Sequence, residues 1–559
     1  MPLEHCLGHA PRTRRRRSWA WLPFASLLAL SQAAQGAPDP EAAAADTPAV
    51  AECTRVGQVR LIRHDVFDTS LPEEDKFLFR LANDLHIQSR ESTIRQLLLF
   101  KPGDPFDPRL MQESERLLRS TGYLRDAVIQ AVACPGGEAE IEVMTQDVWT
   151  LKPGISFGRK GGKNSSSLGI QESNLLGLGT QLGLDIKSGV DRNTRTLFYR
   201  DPQVAGSRWD LSGQYANNSD GHIQSLNLEQ PFYALDSRWA TGIALRRETR
   251  VDSAYELGQV VGQYRTTERF AKVYGGLSEG LRNGWTTRWT AGFTHDEHRA
   301  EPIVTDPPSM LTTPADRKLV YPWVGYELIE DEFQEARNQD QIGKTEDVAL
   351  GWHVIAQLGM AAPVFGADRR AAVFSTQFSR GLQPWPGHTF LFNGSATGRL
   401  EGNGLAGTLL SGAARYYFRQ SPRHSFYLAL GADRGVSLDT DQQILLGGDS
   451  GLRGYPLRYQ SGRGRWLFTA EERYFTEWYP FRLFNVGGAV FYDMGRAWDQ
   501  DERTQIPQGG LLRDLGFGLR LGNSRSALGN VVHIDLAFPL DGDPSIRRVQ
   551  FLVEAKRSF

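Results

Sequence analysis

Long apolar runs are missing: beyond the first 35 residues no stretch approaches 18 apolar positions, which excludes a helical membrane protein. A basic excess is missing too. The chain sets 63 Lys+Arg against 65 Asp+Glu, a formal charge of −2, and so offers no broad electrostatic case for a nucleic-acid partner. Cysteine and methionine are scarce, at 3 and 6 of 559 residues. The chain is instead rich in glycine, with 58, and in aromatics, with 28 Phe, 17 Tyr and 13 Trp. Many glycines and aromatics without long apolar runs fit many short strands and turns, so the first reading is a mainly β protein.

The N-terminus reads as an export signal. Arg12 and Arg14–Arg17 form a basic region, Trp19–Leu30 an apolar one, and Ala34-Gln35-Gly36-Ala37 a small-residue cleavage site. Residues 1–36 are therefore expected to be a signal peptide, too short for a comfortable span. No Cys follows the apolar core closely enough for a lipoprotein. Cys6 would leave with this segment, and the remaining pair, Cys53 and Cys134, is compatible with one disulfide in an oxidising compartment. Two unrelated thiols fit the sequence equally well. A metal site is not expected, since neither has a Cys or His partner at ligand spacing.

Residues 37–54, rich in Ala, Pro, Asp and Glu, read as a flexible acidic linker. Residues 55–150 have a mixed pattern. Val56, Val59, Leu61 and Ile62 suggest a strand, Ser89 a helix cap before Ile94, Leu97 and Leu98, and Asp107-Pro108 a second helix start. Leu110, Ser114, Leu117 and Leu118 share a stripe that Gly122 can end. Strands at Tyr123–Val132 and Ala139–Thr145 complete a β-α-α-β-β order, a three-stranded sheet backed by two helices with an open edge.

Residues 151–559 show no convincing long helix. Segments of about ten residues alternate with period two between turn residues, the signature of a transmembrane β-barrel. Leu182, Leu184 and Ile186 alternate with Gly183, Asp185 and Lys187. Trp285, Thr287, Trp289, Ala291 and Phe293 alternate with Thr286, Arg288 and Thr290. Val532, Ile534, Leu536 and Phe538 alternate with His533, Asp535 and Ala537. In the last segment Val549, Phe551, Val553, Ala555 and Phe559 share one face. Backbone groups in a bilayer must all be paired, which requires closure. About 20 such segments can be counted.

Three motifs stand in order before that final segment. They are Gly447-Gly448-Asp449-Ser450-Gly451-Leu452-Arg453-Gly454-Tyr455 in a long loop, Glu471-Glu472-Arg473 on one strand, and Phe491-Tyr492-Asp493-Met494-Gly495 on the next. Together they resemble the BamA/TamA superfamily of outer-membrane assembly and translocation proteins. The β-α-α-β-β unit resembles a single POTRA (polypeptide-transport-associated) domain. The final strand, with Phe551, Val553 and Phe559, resembles the barrel sorting signal. The resemblance implies 16 strands and a lumen loop whose Arg453 meets Asp493, and also Glu471, on the barrel wall. Alternation turns Phe491, Asp493, Gly495 and Glu471 inward. Gly454 would serve a tight turn, and Tyr455 would pack against the wall.

The function implied is insertion or translocation of other polypeptides, with outer-membrane lipid, extended polypeptides and envelope assembly components as partners. The POTRA-like unit would lie in the periplasm and receive substrate by strand augmentation. The alternatives are a two-partner-secretion pore, a porin-like channel, and a surface antigen without assembly activity. No catalytic residue, cofactor or metal is expected. Gly448-Asp449-Ser450-Gly451 lacks a His/Asp pattern for a protease, and no G-x-S-x-G elbow is present. His295 and His298 read as solvated loop residues, and Gly177-Leu178-Gly179 as a turn.

Overall fold

The computed structural model describes residues 53–303, 313–402, 404–498, 510–523, 525–526 and 531–556. The expected signal peptide, nearly all of the acidic linker, and Phe559 lie outside the described residues.

A small domain comes first: β1 (Arg55–His64), α1 (Phe77–Leu85), α2 (Glu91–Arg95), α3 (Pro108–Ser120), β2 (Leu124–Ala133) and β3 (Glu138–Asp147). β3 is central, parallel to β1 and antiparallel to β2. Its alternation buries Ile141, Val143 and Thr145. Ile94, Leu118, Leu124 and Val143 lie in or against the core this builds. Asp107 caps α3 by accepting from Arg109 N at 2.9 Å, with Pro108 as the first helical residue. Gly122 follows at φ +79°.

Two features depart from the sequence reading. Ser89 does not cap α2, whose N-cap is Arg90. Its hydroxyl donates to Asp147 at 3.0 Å and accepts from Asn174 of the barrel at 2.8 Å. The buried carboxylate outcompetes the cap because it also takes Ser89 N at 2.7 Å and lies 3.0 Å from His86. The second departure is α1, an additional helix between β1 and α2.

The barrel begins at β4 (Leu151–Lys160) and closes after 20 strands at Gln550–Lys556, every neighbour antiparallel. Twenty replaces the 16 implied by resemblance. The additional alternating segments are separate strands, each with its own turn, and not long strands split at an internal glycine. The outer face carries Leu184, Trp289, Leu410, Phe517 and Phe551, all exposed. The inner face of the last strands carries Asp493, Asp514, Arg520, His533 and Asp535, all buried. That distribution is the inverse of a soluble protein and belongs to a membrane-spanning barrel. Gln259–Arg282 runs for 24 residues, against roughly 9–11 for a membrane crossing, so it projects well past the bilayer. At the seam, Val553–Arg159 is the one register pair between β4 and the final strand among the described residues. The final strand pairs with its other neighbour over Gln550–Lys556.

Since the strand count is even, both barrel termini lie at one end, that of the small domain. There Gly177 O accepts from Arg90 N and Thr93 Oγ1, each at 2.9 Å. Gly177 has φ +75°, and an added Cβ would sit 2.6 Å from Gln88 O. The expected turn glycine is thus also a docking point for α2.

Candidate functional site

The loop between His424–Val436 and Gly464–Phe475 leaves the far end of the barrel and folds back inside. A short ladder, Ile444–Leu446 against Gln460–Gly462, gives it a base. Gly451, at φ +113°, makes its turn. Leu446, Leu452, Tyr455 and Tyr459 then pack on Ala497 and Leu512 of the wall.

Arg453 is the centre of the contact. Its Nε and Nη2 donate to the two oxygens of Asp493 at 2.7 and 2.9 Å, and Nη1 donates to Glu471 at 2.9 Å. The guanidinium lies over the Phe491 ring, 3.3 Å from its centroid, adding a cation–π contact to the bidentate fork. Burial by itself would lower the pKa of Arg453, but Asp493 and then Glu471 more than offset it and hold the group above its ordinary value.

The wall extends this pairing. Arg473 reaches Glu471 at 3.1 Å, and Arg520 reaches Asp535 at 2.5 Å and Glu471 at 3.5 Å. Arg453 also lies 3.8 Å from Asp535. Three guanidiniums, one from the loop and two from the wall, thus interleave with three carboxylates of neighbouring wall strands. A buried ion is tolerable only when its charge and hydrogen bonds are met together. The sequence pointed to Arg453, Asp493 and Glu471; Arg520 and Asp535 complete the set. Their inward alternation was the available signal.

Tyr455 is buried against the wall, its hydroxyl donating to Arg513 O at 2.7 Å and accepting from Arg513 N at 3.0 Å. Gly454 plays a different part from the expected tight turn. Its φ is not in the left-handed region, and an added Cβ would sit 2.6 Å from Asp514 Cβ. Its lack of a side chain permits close approach to the wall. Gly495 makes similar room, since a Cβ there would sit 2.7 Å from Trp466 O and 3.4 Å from Leu446.

The loop is fastened elsewhere on the rim. Arg458 makes a bidentate pair with Asp191 at 2.6 and 2.7 Å and lies over Tyr255, 4.2 Å from its centroid. Asp439 accepts from Arg399 at 2.9 Å through both oxygens and from Arg317 at 2.8 Å. His298 is 3.3 Å from Asp441. His298 and His295 sit on the long strand Trp285–Pro302, not in a polar loop. Strand pairing persists beyond the bilayer there, where apolar alternation is no longer required.

A second element enters from the small-domain end. Phe333–Arg337 pairs with Thr345–Ala349, and the tip between them reaches the wall. Ile342 packs with Phe475, Ala489 and Val531. Gln339 O accepts from Arg473 at 2.9 Å, and Asp340 accepts from Tyr417 OH at 2.9 Å. At its base, Arg119 of α3 donates to Asp347 at 2.6 and 2.9 Å and to Glu335 at 2.9 Å. The Glu471–Arg473 pair is therefore the point where the loop and the hairpin meet. The hairpin was readable only as an inter-strand stretch, Asp331–Trp352, too long for a turn at that end.

The remaining predicted positions lie apart from this cluster. Phe551 faces outward on the final strand, and Val553 occupies the seam. Cys53 and Cys134 are joined, with Cα atoms 5.7 Å apart, beside the start of β1 and the turn before β3.

No protein-family model matches the chain, and no curated protein does. Among solved structures it is similar to BamA from Haemophilus ducreyi lacking POTRA domains 1–3, at 14% identity and TM-score 0.38, over 90% of this chain and 85% of that one. It is similar to CdiB from Acinetobacter baumannii, at 12% identity and TM-score 0.45, over 90% and 74%. It is also similar to OccK2 (OpdF) from Pseudomonas aeruginosa, at 11% identity and TM-score 0.31, over 72% and 95%.

Proposed function

We propose that this chain is a non-enzymatic outer-membrane barrel of the BamA/TamA type, which assists insertion or translocation of other polypeptides. The observation that carries the reading is the Arg453 fork on Asp493 and Glu471, which holds an outside loop against the inner wall. Its placement supports a mechanical role. The same loop grips Asp191 near the first strands and Asp493 near the last, and the seam between them has few paired residues among those described.

In this reading the small domain is a single periplasmic POTRA domain, and the outer edge of β2 receives an extended segment by strand addition. The seam then offers β4 and the final strand as pairing edges within the bilayer. The loop limits how far that seam opens. Folding of the substrate drives the step. The final strand, with Phe551 and Val553, serves in sorting the barrel itself. A porin-like channel is less well supported, because it would not need the loop-to-wall pairing.

The test locks the seam. Arg159→Cys and Val553→Cys sit at register partners, a spacing a disulfide can bridge. The oxidised variant is expected to remain a heat-modifiable barrel while other outer-membrane proteins or exported polypeptides fall in level, with recovery on reduction. Normal levels with a fully locked seam would refute the reading.

A further inference from the structure

We propose that α1 is an interfacial helix that moors the small domain to the lipid surface beside the barrel seam. This goes beyond the assembly reading and rests only on the barrel being membrane-embedded. None of the residues of α1 is buried. At about 100° per residue, Phe77, Leu78, Leu81 and Leu85 fall within one apolar stripe. All four are exposed, Phe77 at 69% and Leu78 at 70%. The opposite side of the helix is already engaged. Phe79 stacks on Phe67 with centroids 4.4 Å apart, Asn83 exchanges hydrogen bonds with the Phe67 backbone, and His86 meets Asp147. The helix is therefore held in one orientation, with an apolar face that stands uncovered among the described residues.

Its position identifies the occupant. Just before α1, Glu74 pairs with Arg525 at 2.5 Å, and Arg525 Nη1 donates to Val66 O at 2.5 Å; both Glu74 and Arg525 are buried. Arg525 Nε donates to Tyr479 OH at 3.2 Å, and Arg482 lies 3.9 Å from Glu73. These contacts fasten the segment to the barrel rim at two connections, Arg525 after the strand Leu512–Asn523, and Tyr479 and Arg482 in the turn joining Gly464–Phe475 to Phe484–Trp498. The turn that carries Tyr479 and Arg482 exposes Trp478 at 66% and Phe481 at 78%. Exposed aromatics at the end of a membrane strand belong to the interfacial girdle, and they continue the lipid-facing belt. The apolar stripe of α1 thus extends an existing lipid interface. A short amphipathic helix at that depth buries its apolar side at the headgroup boundary. The consequence is a small domain tethered close to the bilayer near the seam.

The full chain, in a Cys6→Ser background with Cys53–Cys134 oxidised, is labelled with an environment-sensitive fluorophore at Leu81→Cys and reconstituted into phosphatidylethanolamine/phosphatidylglycerol vesicles. Phe517→Cys on the outer belt and Val132→Cys on β2 serve as lipid and water references. Quenching by nitroxide-labelled lipid and by aqueous iodide is compared. The Leu81 label should follow the Phe517 label, losing emission several-fold to lipid nitroxide and resisting iodide. A label that follows Val132 overturns the proposal. So does one shielded from iodide but untouched by lipid nitroxide, which would mean that residues 37–52, a second copy or another polypeptide covers the face. If the Phe517 label also escapes lipid nitroxide, the membrane reading of the barrel fails first.

Discussion

Arg453 and Arg458 belong to one loop but hold carboxylates on opposite flanks of the barrel seam. Arg453 takes Asp493 on the strand Phe484–Trp498, toward the C-terminal side. Arg458 takes Asp191 in the turn between Thr180–Ser188 and Asn193–Asp201, toward the N-terminal side. The loop therefore spans the seam as a brace with a forked contact at each end.

The two ends differ in environment, and their variants should differ accordingly. Arg453 and Asp493 are almost wholly shielded from solvent, so Arg453→Ala leaves the buried Asp493 carboxylate without its cation, while Glu471 keeps Arg473 and Arg520, and should cost about 3–5 kcal/mol. Arg453→Lys should recover only part of this, because an ammonium cannot fork. Asp191 is 42% exposed, so Arg458→Ala should cost under about 1 kcal/mol. Urea unfolding of the reconstituted barrel, followed by heat-modifiable migration, measures both. Equal effects would mean that burial does not govern the brace.

Gly454 and Gly451 provide a second contrast. At Gly454 the obstacle is contact: Gly454→Ala drives a methyl into Asp514 and should cost about 1–3 kcal/mol by overpacking. At Gly451 the left-handed φ adds strain of about 1–2 kcal/mol to a clash with Leu467. Gly454→Ala should lift Arg453 from Asp493, leaving the loop open to added protease. Gly451→Ala should disturb the turn while Leu467, a flexible neighbour, gives way. Limited proteolysis from the far side separates the two.

The strands were legible because the bilayer imposes a strong contrast on alternate residues. Val532, Ile534, Leu536 and Phe538 had to face lipid, and Asp535 and His533 could not. The pairing of Arg453 was legible through motif resemblance. Arg458 with Asp191 was not, since 267 positions separate them and no local period links them. The long strand through His298 was taken for a loop because it outlasts the bilayer and with it the apolar rhythm. α1 left a helical spacing at Phe77, Leu81 and Leu85, but such a spacing usually signals a face turned toward the domain's own core, and this one faces out. Ser89 was a sound cap candidate locally. A buried carboxylate distant in sequence decided otherwise.

Cys53 and Cys134 close a loop of 81 positions around nearly the whole small domain. Constraint of the unfolded chain by such a loop contributes about 4.5 kcal/mol in the chain-entropy account. Cys53→Ser with Cys134→Ser should therefore unfold the small domain at much lower urea while the barrel keeps its heat-modifiable form. Hydrogen exchange across β3 and across a barrel strand such as Trp285–Pro302 reports the two regions separately. Loss of protection in both at the same urea concentration would show that they unfold as one unit.

Glu346, on the hairpin that enters from the small-domain end, makes that element sensitive to pH. Burial pushes its carboxyl up to about 7, against the opposing pull of Gln339 N and Asp340 N, each donating at 2.9 Å. The raised folded-state pKa means that the docked hairpin binds this proton more tightly than the free one. Its docking is strongest below the ordinary value near 4.5. It weakens as pH climbs toward about 7 and levels off above that. The change should be on the order of 2 kcal/mol, allowing for partial solvent access. Exchange of the backbone amides at Gln339 and Asp340 should accordingly speed up between pH 5 and pH 8, beyond the intrinsic chemical trend. Glu346→Gln should flatten that excess, because a neutral amide stays uncharged throughout. An excess that survives the substitution would refute the assignment to Glu346.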